Sequence, residues 1–258
     1  MVFCIIESEK KGGFPMPQKV ALITGATGGI GEAIARRLGS LGYSLALVYG
    51  QNHKKAWDLR STIMEADRIE TYSCDFNDRE EIKKALEKVR ADFIHVDVVV
   101  HAAGVSFRGM FDEMDEDDFE RSFNVNVKPL FYLTRGLIPG MVSRQEGDII
   151  AISSIWGSRP ASYEIAYAMT KGALEQFARG LAAELAHMGI RVNAIAPGGI
   201  DTEILGNLSH EERKAFIQDI PFHRLGTPEE VADLVEFLVT KGRYITGQVI
   251  TMDGGFTL

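Results

Sequence analysis

From Val20 onward, short apolar runs alternate with stretches in which apolar residues recur every three or four positions. A short apolar run bounded by turn residues reads as a buried strand, and the three-to-four spacing reads as an amphipathic helix. Strands are predicted over residues 20–24, 44–49, 69–74, 96–100, 148–153, 190–196 and 245–252. Helices are predicted over residues 31–41, 54–66, 79–90, 115–143, 166–188 and 228–239. The 96–100 strand is almost wholly apolar, as expected of a strand covered on both faces. Pro129 and Pro139 are the expected break points of the long 115–143 stretch. Pro228, Glu229 and Glu230 make a favourable helix start. This alternation predicts βαβ units, hence an α/β domain with a parallel sheet between two layers of helices. Ligands of such sheets bind at the carboxyl ends of the strands.

Composition narrows the possibilities. A chain of 258 residues suits one large α/β domain. Asp and Glu number 36 against 28 Lys and Arg, for a net charge of -8. An acidic surface repels a phosphate backbone, so no nucleic-acid partner is expected. No apolar run approaches the roughly 18 residues of a membrane helix, so no membrane partner is expected either. Cys4 and Cys74 make no disulfide framework, which suits a reducing cytoplasm. His53, His95, His101, His187, His210 and His223 show no metal-ligand spacing, and no metal is expected. Residues 1–16 are read as a tail and residues 17–258 as the folded domain. The start lacks a basic segment and carries Glu7 and Glu9, unlike a signal peptide. Met16, just before Pro17-Gln18-Lys19, is an alternative start to Met1.

The first strand runs into Thr24-Gly25-Ala26-Thr27-Gly28-Gly29-Ile30-Gly31. Glycines there permit a tight turn and let backbone N–H groups approach a pyrophosphate at the helix N-terminus. The spacing is T-G-x-x-x-G-x-G, unlike the common G-x-G-x-x-G fingerprint. The turn resembles that of the classical short-chain dehydrogenase/reductase family, and the likeness extends over residues 19–258. It implies a single Rossmann-type, doubly wound domain with a seven-stranded parallel sheet.

In NAD-preferring enzymes an acid at the end of the second strand binds the ribose hydroxyls. Here the strand ends in Tyr49-Gly50-Gln51-Asn52, with no acid, and His53, Lys54 and Lys55 follow. That cluster suits a 2′-phosphate, and NADP(H) is the expected cofactor. Against it, Thr27-Gly28 stand where many NADP-dependent relatives carry a basic residue. The resemblance assigns Asp75-Phe76 to the adenine, with Tyr49, Asn52, His53 and Lys54 beside the ribose. His101-Ala102-Ala103-Gly104 replaces the family's usual N-N-A-G, and its small residues allow close approach to the ribose. Pro197-Gly198-Gly199-Ile200-Asp201-Thr202 resembles the segment that holds the nicotinamide end.

Tyr167 and Lys171 form a Y-x-x-x-K motif, and residues four apart share a helix face. The lysine charge is expected to favour the phenolate and lower the tyrosine pKa from its usual value of about 10. By resemblance, Ser154 hydrogen-bonds a substrate carbonyl, with Ser153 the less favoured choice. Asn126 completes the family's tetrad through a helix distortion and a water relay to the lysine, with Asn124 as competitor. The implied reaction is hydride transfer to a carbonyl carbon, with Tyr167 giving a proton to the oxygen.

The C-terminal segments resemble the 3-oxoacyl-[acyl-carrier-protein] reductases of fatty-acid synthesis. Residues 203–221 read as a short polar substrate loop, suiting a small or protein-tethered carbonyl substrate. Three details fit that reading poorly. Tyr132 and Met188 stand where docking arginines can occur, residues 112–118 are acidic, and Glu164 precedes Tyr167 by three positions. These details suit a cationic substrate better, and Ser153-Ser154-Ile155-Trp156-Gly157, with Glu164 before Tyr167 and Lys171-Gly172-Ala173 after it, resembles a Gram-positive subgroup that reduces the 5-aminopentanone group on a lysine of elongation factor P. On that reading Trp156 and Glu164 contact the substrate, Glu164 pairing with its amine. A catalytically silent, cofactor-sensing regulator is the third class, against which the intact tetrad speaks. The resemblance implies a homotetramer, and long apolar helices over 115–143 and 166–188 are consistent with a homotetramer or a dimer.

Overall fold

The computed structural model describes residues 18–207 and 209–258, so the expected tail over 1–16 lies outside the described residues. Its order is β1 (Val20–Thr24), α1 (Gly29–Ser40), β2 (Ser44–Tyr49), α2 (His53–Thr62), β3 (Ile69–Ser73), α3 (Arg79–Asp92) and β4 (Val98–His101). Next come α4 (Glu116–Asn126), α5 (Lys128–Arg144), β5 (Gly147–Ile152), α6 (Ile165–Leu185) and β6 (Ile190–Pro197). The described chain ends with α7 (His210–Asp219), α8 (Pro228–Thr240) and β7 (Val249–Met252). The strands form one parallel sheet in the order β3-β2-β1-β4-β5-β6-β7, the doubly wound Rossmann arrangement. Strand order reverses between β1 and β4, which opens a crevice at their carboxyl ends.

β1 and β2 are buried along their whole length, because helices cover both faces of the sheet. One core lies under α3, α5 and α6, and holds Leu22, Val48, Val99, Leu133 and Leu174. The other lies under α1 and α8, and holds Ile23, Ile34, Leu38, Val231 and Val235. Each such buried side chain stabilises the fold by about 1.5–3 kcal/mol relative to exposure.

The predicted 115–143 helix is two helices. The chain leaves helical geometry at Val127 (φ -119°, ψ -54°), and Pro129 falls in the first turn of α5, where a missing N–H costs little. Pro139 stays inside α5 and breaks nothing. α2 ends at Thr62, four residues before its predicted end, and β7 occupies only the last part of 245–252. α6 gives way at Leu185 to a 3-10 turn that ends at Gly189, whose φ of 77° suits glycine. Residues 203–221, read as a loop, contain α7. Its start is a capping box in which Ser209 and Glu212 satisfy each other's backbone N–H groups.

Candidate active site

The turn between β1 and α1 is as tight as its glycines suggest. Gly25 has φ +65°, and a Cβ there would lie 2.6 Å from the backbone of Ala103. A Cβ on Gly31 would lie 2.2 Å from the Gly25 carbonyl oxygen, and one on Gly29 would lie 2.9 Å from the Thr202 side chain. Gly28 caps α1 without any side-chain hydrogen bond, so the first-turn N–H groups of Gly29, Ile30 and Gly31 have no side-chain acceptor. An unfilled cradle of donors at a helix N-terminus fits a pyrophosphate. Gly31→Ala is expected to open the turn and weaken binding of a dinucleotide by about tenfold or more, since even a small misplacement is costly. A fluorescence titration of NADPH checks it.

Behind that turn lies a groove of about 590 Å³ lined by Gln51, His53, Asp75, Phe76 and Ala103, among others. A second pocket of about 140 Å³ is lined by Ser154, Trp156, Glu164, Tyr167, Lys171 and Phe216, with Pro197, Gly198 and Ile200. The two share Ile30, Ala102, Gly104 and Thr202, so they are the two ends of one crevice. Thr27 is not among the residues that line either end.

The basic cluster after β2 is partly spoken for. Lys55 pairs with Glu32 at 2.9 Å, and Glu32 also holds Arg36 at 2.9 Å. The His53 ring nitrogen Nδ1 lies 2.9 Å from the Tyr49 hydroxyl. Asn52 caps α2 by accepting from the Lys55 N–H, and Lys54 is exposed. The first turn of α2 carries no acid of its own, although Glu32 of α1 reaches Lys55 there. Asp75 folds its own turn, with Oδ1 accepting from the backbone and side-chain nitrogens of Asn77 at 2.9 Å.

The other end gathers the candidate proton-transfer groups. Ser154 follows β5 in extended conformation and accepts from the Trp156 N–H at 3.3 Å. Trp156 meets Phe256 edge-on, with ring centroids 6.0 Å apart. Tyr167 and Lys171 share one face of α6, with Nζ 5.3 Å from the phenol ring centre. Lys171 is buried and donates to the Ile152 carbonyl at 2.9 Å. Burial pulls its pKa down to about 8. Burial pushes the Tyr167 phenol up to about 12; Ser154 opposes the rise and the Glu164 charge adds to it. The expected lowering by the lysine charge is therefore corrected: desolvation of the phenolate is the largest influence, and the opposing one comes from Ser154 rather than from Lys171. The consequence is a phenol that keeps its proton at neutral pH.

Asn126 closes α4 and is fully buried. Its side chain donates to Val105 O and Thr170 Oγ1, both at 2.9 Å, and accepts from Val105 N at 2.8 Å. Asn124 instead faces outward, accepting from Lys128. Ser153 bonds the Lys171 carbonyl at 3.0 Å and the buried Glu175 carboxylate at 3.2 Å, rather than lying open to a substrate. Among the described residues, Thr202 Oγ1 bonds only the Ile200 carbonyl, at 3.4 Å.

Several neighbours escape sequence reasoning. Ser106 donates to Glu164 at 2.7 Å, and Tyr163 beside it takes φ +64° while accepting from Gly109 N. Such left-handed backbone is costly outside glycine. Phe216, from the unpredicted α7, closes one wall with Phe256. The Ser209-x-x-Glu212 spacing was the available signal for α7.

A fold of this order, with Ser, Tyr and Lys at the carboxyl ends of its strands, defines a nucleotide-dependent oxidoreductase class, and the comparisons agree. Residues 25–257 match the family model described as "Enoyl-(Acyl carrier protein) reductase". An uncharacterized oxidoreductase of Bacillus subtilis, YmfI, is 38% identical over 242 residues, covering 92% of this chain and 98% of the relative. A 3-oxoacyl-[acyl-carrier-protein] reductase of Thermotoga maritima is 35% identical over 245 residues, covering 93% and 98%. The crystal structure of gox2181 superposes with a TM-score of 0.87 at 28% identity, covering 93% of this chain and 96% of that one. The chain belongs to the short-chain dehydrogenase/reductase family and is one of its oxidoreductases.

Proposed function

We propose that the chain reduces a carbonyl to an alcohol with NADPH in the cytoplasm, Asn126, Ser154, Tyr167 and Lys171 forming the site. The carrying observation is the placement of Tyr167 beside Ser154 and Lys171 in a pocket continuous with the groove behind the glycine turn. When bound, the dihydronicotinamide supplies the hydride. Gly29, Ile30 and Gly31 would hold the pyrophosphate, Gln51, Asn52, His53 and Lys54 the 2′-phosphate, and Pro197, Gly198, Ile200 and Thr202 the carboxamide end. The Tyr167 O–H gives its proton to the developing alkoxide, and the Ser154 O–H donates to the same oxygen. Lys171 then stabilises the phenolate that Tyr167 becomes.

The relatives favour a 3-oxoacyl thioester carried on acyl carrier protein as substrate. A second reading, an amino-ketone such as 5-aminopentanone on a lysine of elongation factor P, is favoured by Glu164. Ser106 and the left-handed Tyr163 hold that carboxylate in the pocket wall, where a cationic group can meet it. Half-exposed Phe131 and Met169 on α5 and α6 support a homotetramer, to be weighed by light scattering.

The deciding experiment follows oxidation of NADPH and NADH with an acetoacetyl thioester and with the modified elongation factor. Thioester turnover with NADPH supports the first reading, and turnover confined to the amino-ketone supports the second. Binding of NADPH with no turnover of either points to a cofactor-sensing regulator. On the second reading, Glu164→Gln raises KM for the amino-ketone about tenfold, the loss of one ion pair worth about 1.4 kcal/mol. An unchanged KM removes Glu164 from substrate recognition.

A further inference from the structure

We propose that His101 is a positioning residue that ties the strand of the glycine turn to the helix break at Asn126, and through it to the helix of Tyr167 and Lys171. The part of the inference that concerns turnover rests on the reductase reading above.

His101 ends β4 and is fully buried, yet it lines neither end of the crevice. Its Nδ1 lies 2.8 Å from Thr24 Oγ1 and its Nε2 lies 2.8 Å from the Asn126 carbonyl oxygen. A carbonyl only accepts, so Nε2 carries the proton and Nδ1 accepts from the Thr24 hydroxyl. Thr24 Oγ1 in turn accepts from Ala103 N at 3.4 Å. On the far side, Asn126 Nδ2 donates to Thr170 Oγ1, which donates to the Tyr167 carbonyl at 2.7 Å. The connected path thus runs Thr24, His101, Asn126, Thr170, Tyr167, every side chain along it but the last almost wholly buried.

Each link answers a need. The Asn126 carbonyl belongs to the last turn of α4, where carbonyls lack partners within the helix. Left unpaired in this buried setting, it would cost about 1–3 kcal/mol. Burial drives the imidazole pKa down to about 4, with Lys171 adding to the fall, so the ring stays neutral and its two bonds do not switch near neutrality. An asparagine stands at this position in the resembling motif. Here the imidazole joins β1 to the α4 break through its two ring nitrogens.

Three variants separate this role from plain packing. His101→Phe fills the space without either bond, His101→Asn keeps one end, and His101→Gln carries an N–H donor to the far end. For His101→Phe, kcat is expected to fall about 10- to 100-fold through misplacement of the Tyr167 helix, with KM changed far less. His101→Gln restores most of the loss. Hydrogen exchange of the Val105 amide, which donates to Asn126, rises in His101→Phe and returns towards the wild-type rate in His101→Gln. Folded His101→Phe with wild-type kcat and wild-type Val105 exchange overturns the proposal. So do nitrogen NMR shifts that place the His101 proton on Nδ1 in the wild type. If the wild type turns over no carbonyl, the reductase reading fails, while the exchange and NMR measurements still decide whether His101 is the strut.

Discussion

Replacing Tyr167 by Phe is expected to lower carbonyl turnover by about 10²–10⁴-fold, the usual contribution of a positioned proton donor. Binding of the nicotinamide cofactor should survive, because the cradle at Gly29, Ile30 and Gly31 is built from backbone and lies at the other side of the crevice. The phenylalanine ring keeps the contact with Lys171, so the fold should be undisturbed. Stopped-flow NADPH oxidation read beside a fluorescence binding titration tests this. A folded Tyr167→Phe variant that retains turnover assigns proton donation elsewhere.

The second large effect concerns Lys171. Its folded-state pKa of about 8 lies below the lysine value of 10.5, through burial. Below pH 8 both folded and unfolded chains carry the proton, and the cost of the buried ammonium is fully present. Between about pH 8 and 10.5 the unfolded chain holds a proton that the folded chain has released, so this group adds stability as pH rises. The predicted gain is about 3 kcal/mol by pH 10.5 at 1.36 kcal/mol per pKa unit, as an upper figure for the apo protein. Lys171→Met removes that pH dependence and also leaves the Ile152 carbonyl without its donor. Urea unfolding of both proteins at pH 7 and pH 10 reads the difference, in which the remaining lysines and tyrosines largely cancel. The wild type should gain on the variant as pH rises. A constant gap would mean that the ammonium is better solvated than its position beneath the pocket implies.

Much of the fold was legible in the chain because the two periodicities are clean. Buried parallel strands are almost uninterruptedly apolar, and the helices that cover them carry apolar stripes. α7 was missed for the complementary reason: none of its residues is buried, so it has no stripe. The break between α4 and α5 was readable from Pro129, while Pro139 misleads because a helix packed on a sheet tolerates one lost bond. Tyr167 and Lys171 stand four apart on a helix face, Ser154 is assigned by the family resemblance, and the fold gathers all three in one pocket. The partners that set their behaviour were not legible in the chain. Lys55 is held by Glu32, Glu164 by Ser106 and the Asn126 carbonyl by His101, all across gaps in sequence that no local pattern records. The direction of the Tyr167 shift was misjudged because a motif displays the nearby charge and hides the desolvation.

The unburied character of α7 bears on how such a protein diversifies. The nucleotide wall is set by Gly25, Gly29 and Gly31, where a methyl group would fall within 3.0 Å of its neighbours, and α1 behind it is fastened to α8 through Arg37, Asp233 and Glu236. The opposite wall borrows Phe216 from a helix with no stake in either core. Exchanges on α7 away from Phe216, Glu212 and Arg213 should shift stability by no more than about 0.5 kcal/mol. Selection can therefore redraw the substrate side residue by residue while the nucleotide side stays frozen. One ancestral scaffold can in this way supply reductases for unrelated ketones without refolding.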